Sequence, residues 1–198
     1  MKCILMRLLL VCALNSVCFS SAYAIKEDQF EQFGDVFRYL PIYTMIVSVA
    51  FEDYEGVGQL LLGSLSTQLV TEGIKASLDS FSSHKYPIKW AKRPCCDIYK
   101  GMPSGHSAGA FSAAGYVYYR YGIKSAVPVG ILAILTAASR VEAQKHSLLQ
   151  VSVGAAIAWG FAWLFTKEYQ PKNTLVLPNI ERDIQGNTLV SLYITHRF

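Results

Sequence analysis

Between Asp35 and Thr166 the sequence alternates apolar runs, about 15 to 19 residues each, with short polar breaks, a rhythm that admits little besides packed helices. The first run is Asp35 to Phe51, with Pro41 near its start, and Gly58 to Ser77 is the second. Residues 79–103 are polar, Lys-rich and punctuated by Pro94 and Pro103, which predicts a long loop. Ser104 is an N-cap for a helix reaching about Tyr121, where Gly122 stops it. Two further helices are expected over Ala126–Gln144 and Ser147–Thr166, before Pro171 and Pro178 close the helical region. The end, Asn187 to Phe198, alternates weakly and reads as a short strand, but one such segment cannot close a barrel. The expected fold is all-α: a bundle of five to six helices over 25–170, then a short irregular or β-like tail over 171–198.

Composition sharpens this. Charged residues are 16% of the chain against an ordinary share of about 25%, and apolar residues are 52%. Trp159, Trp163 and Tyr169 sit near one end of the last run, as interface aromatics do. A membrane-embedded bundle is favoured, and a soluble periplasmic bundle with buried helices is the competitor. A net charge of +4 with no basic run gives nothing for nucleic acid to bind.

The N-terminus reads as an export signal over residues 1–24. Lys2 and Arg7 precede an apolar stretch from Leu8 to Phe19, and Ala22-Tyr23-Ala24 is a small-x-small cleavage site. An uncleaved first membrane helix is the alternative. Cleavage would remove Cys3, Cys12 and Cys18, leaving the adjacent pair Cys95-Cys96 as either a strained ring or two small buried residues.

Three polar islands interrupt the apolar pattern: Arg93-Pro94; Met102-Pro103-Ser104-Gly105-His106; and Ser139-Arg140 with His146. The middle one sets a tight turn onto a helix N-terminus, where unpaired amides and the helix dipole favour an anion. Gly105 lets the backbone approach a ligand closely, Ser104 adds a hydroxyl, and His106 projects nearby. Arg140 and His146 lie in apolar surroundings, where a charge is costly unless used. Arg93 supplies a second planar fork for phosphate oxygens.

The order Arg-Pro, Pro-Ser-Gly-His, then Ser-Arg-x5-His resembles the type 2 phosphatidic acid phosphatase and vanadium haloperoxidase superfamily, across roughly residues 73–154. The resemblance implies a helical bundle and metal-free phosphoester hydrolysis without a cofactor. It implies that His146 is the nucleophile and His106 the general acid. It also implies that Lys75, Arg93, Ser104, the Gly105 amide and Arg140 hold the phosphoryl oxygens.

Two positions depart from that family's pattern. The Lys about seven residues before Arg-Pro is replaced by Tyr86; Lys75 has the helical context for the role and Lys85 the closer spacing. The Asp four residues after the nucleophile is replaced by Gln150. On a shared helix face Gln150 could accept the His146 ring N–H but offers no charge, so Gln150→Asp would raise turnover if the amide is limiting. Glu142, four residues before His146, is a candidate replacement carboxylate, and Glu142→Gln would then strongly reduce turnover.

The leading expectation is hydrolysis of phosphate monoesters or pyrophosphates on membrane lipids: phosphatidic acid, phosphatidylglycerol phosphate, undecaprenyl pyrophosphate or lipid A. The enzyme would sit in the bacterial inner membrane with its site facing the periplasm. A soluble periplasmic acid phosphatase and a catalytically impaired phosphate- or lipid-binding protein are the other readings. A haloperoxidase is disfavoured by the short chain.

Overall fold

Among the described residues, 27–84 and 87–170 with the backbone of 174–182 and 188–196, the computed structural model contains six α-helices and one β-hairpin. The helices are α1 (Glu27–Phe37), α2 (Leu40–Ala50), α3 (Tyr54–His84), α4 (Gly105–Tyr121), α5 (Ile123–Glu142) and α6 (Leu148–Phe165). The expected export signal over residues 1–24 lies outside the described residues.

The all-helical bundle is the architecture the apolar rhythm predicts, with different boundaries at its start. The single run expected from Asp35 to Phe51 is broken at Arg38–Tyr39 into α1 and α2. Pro41 lies in the first turn of α2, where its missing N–H removes no helical hydrogen bond. The α1 helix extends back to Glu27, with the Phe33 and Phe37 rings packed 4.3 Å apart on one face of a segment whose acidic residues conceal the periodicity. The α3 helix continues to His84, well past Ser77, through a polar stretch that packing on one side suffices to hold. The loop expected over 79–103 therefore begins after His84 and contains one short 3-10 turn, Lys89–Ala91. At its tip Cys95 and Cys96 are bonded to each other, and Cys95 is exposed, so the pair is not buried.

The α4 helix is the spine, packing against α6, α5 and α3. Ala108, Ala110, Ala113 and Ala114 are fully buried along it, and such small residues let neighbouring helix axes come close. Leu40 and Ala133 join this core, and Leu60, Tyr116, Val117 and Ala126 form a second cluster toward the far end.

That far end is closed by a buried ion pair. Arg120 grips Asp53 with two nitrogens, the Nε–Oδ2 contact being 2.9 Å, and Tyr121 donates to Asp53 Oδ2 at 2.6 Å. Arg120 also donates to the carbonyl of Lys167 just beyond α6, at 3.0 Å. Ser48 at the end of α2 meets the hydroxyls of Tyr116 and Tyr121, each at 3.2 Å. Glu52, Asp53 and Glu55 separate two apolar runs in the sequence, but Asp53 is in fact a core residue, 4% exposed. From this end α3 returns to Gln68 and Lys75, α4 begins and α5 finishes beside them, and α6 starts there again. The helices α2 to α6 thus alternate in direction.

The α5 and α6 helices are long and apolar enough to cross a bilayer, and α2 is a shorter apolar helix. Ile46 of α2, Leu61, Leu62 and Leu69 of α3, and Ile131 and Ile134 of α5 are exposed. The tail is an antiparallel hairpin, Thr174–Arg182 (β1) paired with Thr188–His196 (β2). The second strand falls where alternation was read. Pro178 lies inside β1 and pairs with Leu192 in register, which is tolerated because both strands of a lone hairpin are edges.

Candidate active site

The three polar islands meet at the end of the bundle opposite the Asp53–Arg120 pair, around one cavity of about 550 Å³. Lys75, Arg93, Gly105, His106, Arg140 and His146 all line it.

His146 is fixed by the turn that precedes α6. The α5 helix ends at Glu142, and the amides of Lys145 and His146 both donate to the carbonyl of Arg140 at 3.1 Å. This reversal, with Gln144 at φ 53, brings Arg140 and His146 to one wall and accounts for their spacing. His146 is 4% exposed. Its Nδ1 faces the carbonyl of Gly101 at 2.8 Å and Gln150 Oε1 at 3.2 Å. Both are acceptors, so Nδ1 carries the ring proton and Nε2 keeps its lone pair. Burial pushes the His146 pKa down to about 4; the Gly101 hydrogen bond opposes this and the Arg93 charge adds to it. The imidazole is therefore neutral and nucleophilic at physiological pH.

Gln150 is bound more tightly into the structure than a shared helix face predicts. His146 lies outside α6, so the two residues meet through the capping box of Ser147 and Gln150. Gln150 Oε1 accepts from the Ser147 amide at 3.1 Å, and its Nε2 donates to the carbonyls of Trp90 at 3.0 Å and Lys92 at 2.9 Å. One buried amide thus orients the His146 ring and anchors the loop that delivers Arg93. Arg93 Nε is buried without a hydrogen-bond partner among the described residues, a donor free for an anion.

Lys75 reaches the N-terminus of α4: a Cβ placed on Gly105 would lie 3.0 Å from its Nζ. Its own partner is Glu72 at 2.6 Å. Lys85 lies outside the described residues. Ser104 is placed differently from expectation. It is fully buried, its Oγ accepts from the Ser107 amide at 3.5 Å, and its own amide donates to the Gln150 carbonyl at 2.9 Å. It thus caps α4 behind the cavity wall and does not line it. The α6 helix can sit this close only because Gly154 has no side chain: a Cβ there would lie 2.5 Å from the Ser104 carbonyl oxygen.

Glu142 is not brought to His146. It is exposed at the end of α5, absent from the cavity wall, and the turn at 143–147 breaks the helix face the two would have shared. Besides Glu72, which pairs with Lys75, the carboxylates that enter the site are Glu31 and Asp35 of α1, which the sequence reading did not single out because they belong to none of the three polar islands. Asp35 Oδ1 lies 2.7 Å from His106 Nε2 and 3.0 Å from Arg140 Nη1. Glu31 pairs with Lys145, and its carbonyl accepts from Arg140 Nη2. Burial opposes ionisation of Asp35, but the His106 hydrogen bond and the Arg140 charge hold its carboxyl below the usual range. Burial lowers the His106 pKa to about 4; Asp35 works against this, while Arg140 and Arg38 reinforce it.

The sequence model of the PAP2 superfamily matches residues 56–174, from α3 into the hairpin and across all three islands. A lipid A 4'-phosphatase of Helicobacter pylori is 52% identical over 158 residues, covering 80% of each chain. The crystal structure of Aquifex aeolicus LpxE shares the fold with a TM-score of 0.54 at 21% identity, over 73% of this chain and 87% of that one. Motifs, fold and relatives agree: the chain belongs to the PAP2 superfamily and is a phosphoric ester hydrolase of that type.

Proposed function

We propose that this enzyme removes a phosphate group from lipid A or a closely similar phosphoglycolipid at the outer face of the inner membrane. The observation that carries this reading is a single cavity. It joins a neutral, buried His146 to the Arg93, Arg140 and Lys75 cations, and it is also lined by Pro41, Ile42 and Leu65. Cations address the phosphate, and the apolar wall suits a lipid anchor. The exposed apolar faces of α2, α3 and α5 support placement in a bilayer. The likeness to a lipid A 4'-phosphatase at 52% identity supports lipid A over the other lipid phosphates.

In the reaction, His146 Nε2 attacks phosphorus while the bond to the lipid oxygen breaks. A ring proton of His106 goes to that oxygen. The charge spread over the phosphoryl oxygens is held by Arg93, Arg140, Lys75 and the N-terminus of α4. Water then attacks phosphorus, the P–N bond breaks, and His106 accepts the proton.

The test is phosphate release by purified protein from lipid A, phosphatidic acid, phosphatidylglycerol phosphate, undecaprenyl pyrophosphate and a small soluble monoester. Lipid A should be the fastest substrate, and His146→Ala should reduce release about 10³-fold or more. A preference for the soluble ester, or release unaffected by His146→Ala, overturns the proposal.

A further inference from the structure

The geometry points to Asp35 as a positioning residue for catalysis, one that orients His106 and favours its protonated form. The inference rests on the phosphatase reading above. Asp35 lies outside the matched region 56–174, so this contribution comes from α1.

Three observations carry it. First, the Asp35 carboxylate bridges the proton donor and a ligand of the phosphoryl group: the His106 ring, 2.7 Å away, and the Arg140 guanidinium, 3.0 Å away. Second, the approach is built. Gly34 lies so close to α5 that an added Cβ would sit 2.8 Å from Arg140 Nη2, so a side chain there would lift α1 and its carboxylate away. Third, the charges near His106 are otherwise mostly cationic. Arg38 faces it from the α1–α2 link and Arg140 from α5, and Lys75, Arg93 and Lys145 line the same cavity. The carboxylates are Asp35 and Glu31 from α1 and Glu72 from α3. Glu31 is committed to Lys145 and Glu72 to Lys75, which leaves Asp35 as the carboxylate bonded to the imidazole.

A general acid must carry its proton when the ester bond breaks. Burial and two arginines disfavour that proton on His106, and the Asp35 carboxylate offsets them. It also fixes the ring by one nitrogen, which limits rotation in a wide cavity. After the proton has passed to the leaving oxygen, the neutral ring remains held to accept the proton of the attacking water. Asp35 itself neither gains nor loses a proton.

The experiment compares wild type, Asp35→Asn and Asp35→Glu on two esters: a short-chain phosphatidic acid, whose alkoxide leaving group needs a proton, and 4-nitrophenyl phosphate, whose phenolate does not. Asp35→Asn should lower kcat/KM, which reports the step that expels the leaving group and not the shared hydrolysis of phosphohistidine, at least about tenfold on the alkyl ester and by no more than about twofold on the aryl ester. The alkaline limb of the alkyl-ester pH profile should move down by about one pH unit. Asp35→Glu should recover part of the loss. In a His106→Gln background, Asp35→Asn should cost little more, because its effect passes through the ring.

Equal losses on both esters with an unmoved pH profile would make Asp35 structural and overturn the assignment. A fall in KM with kcat kept or raised would make it a competitor for the phosphate site and overturn it as well. If Asp35→Asn does not fold, the Asp35→Glu pH profile and leaving-group ratio decide in the same way. Wild type releasing phosphate from no lipid or soluble ester is a different result, and it defeats the phosphatase reading itself.

Discussion

The side-chain amide of Gln150 donates to the carbonyl of Lys92, one residue before Arg93, so the partner of the nucleophile also holds the loop carrying a phosphate ligand. An aspartate there is too short for this span and would face the Trp90 and Lys92 carbonyls with an acceptor. Gln150→Asp should therefore lower turnover, by about tenfold or more, where the sequence alone predicts a gain if the amide is limiting. Steady-state kinetics on a lipid phosphate, with a melting curve to register the lost hydrogen bonds, checks this.

Lys75 sits over the N-terminus of α4, where the phosphoryl oxygens would lie. Lys75→Met should reduce kcat/KM by about 10- to 100-fold, and Lys85→Met should leave it within about twofold. Kinetics of the two variants side by side distinguishes the first-motif lysine.

Glu142 is solvated and does not line the cavity that holds the imidazole it was expected to support. Glu142→Gln should keep turnover within about twofold of wild type, as surface changes do. A large loss would show that the turn at 143–147 rearranges in the substrate complex.

His146 is held neutral, with its pKa lowered by burial from 6.5 to about 4. Between those values the unfolded chain binds the proton that the folded protein excludes, so stability falls as pH is lowered through this window. The slope is at most about 1.4 kcal/mol per pH unit for this group, or about 3 kcal/mol in total. Thermal melts in detergent from pH 7.5 to 4 should show the decline, and His146→Gln should reduce its slope by about half, the rest coming from His106, which burial lowers to about 4 as well.

Asp53 is buried against Arg120, so Asp53→Ala strands a buried guanidinium. The expected cost is about 3 to 5 kcal/mol of stability, with KM unchanged in whatever fraction remains folded. Denaturation and kinetics on the same preparation separate the two effects.

The fold was legible because apolar runs and caps are local signals: Ser104, Gly122 and Ser147 mark helix ends correctly. The cationic half of the site was legible for a different reason. Arg93, His106, Arg140 and His146 are expensive in apolar surroundings, and they occur in motifs of fixed spacing. The acidic half was not. Asp35 and Glu31 reach the cavity through the packing of α1 on α5, over a sequence separation of more than a hundred residues, and an exposed-looking acidic helix gives no hint of it. Glu142 failed in the opposite sense, because periodicity was extended across a turn stabilised by the Arg140 carbonyl.

The Asp53–Arg120 pair has a topological corollary. His106 and Arg120 lie near opposite ends of α4, about 21 Å apart along its axis. Arg120 also fastens the chain where it leaves α6, so the hairpin is rooted on the side away from the chemistry. With the site at the periplasmic face, as proposed above, the C-terminal ribbon would lie on the cytoplasmic side. A protease added to intact spheroplasts should spare a tag placed there until the membrane is breached.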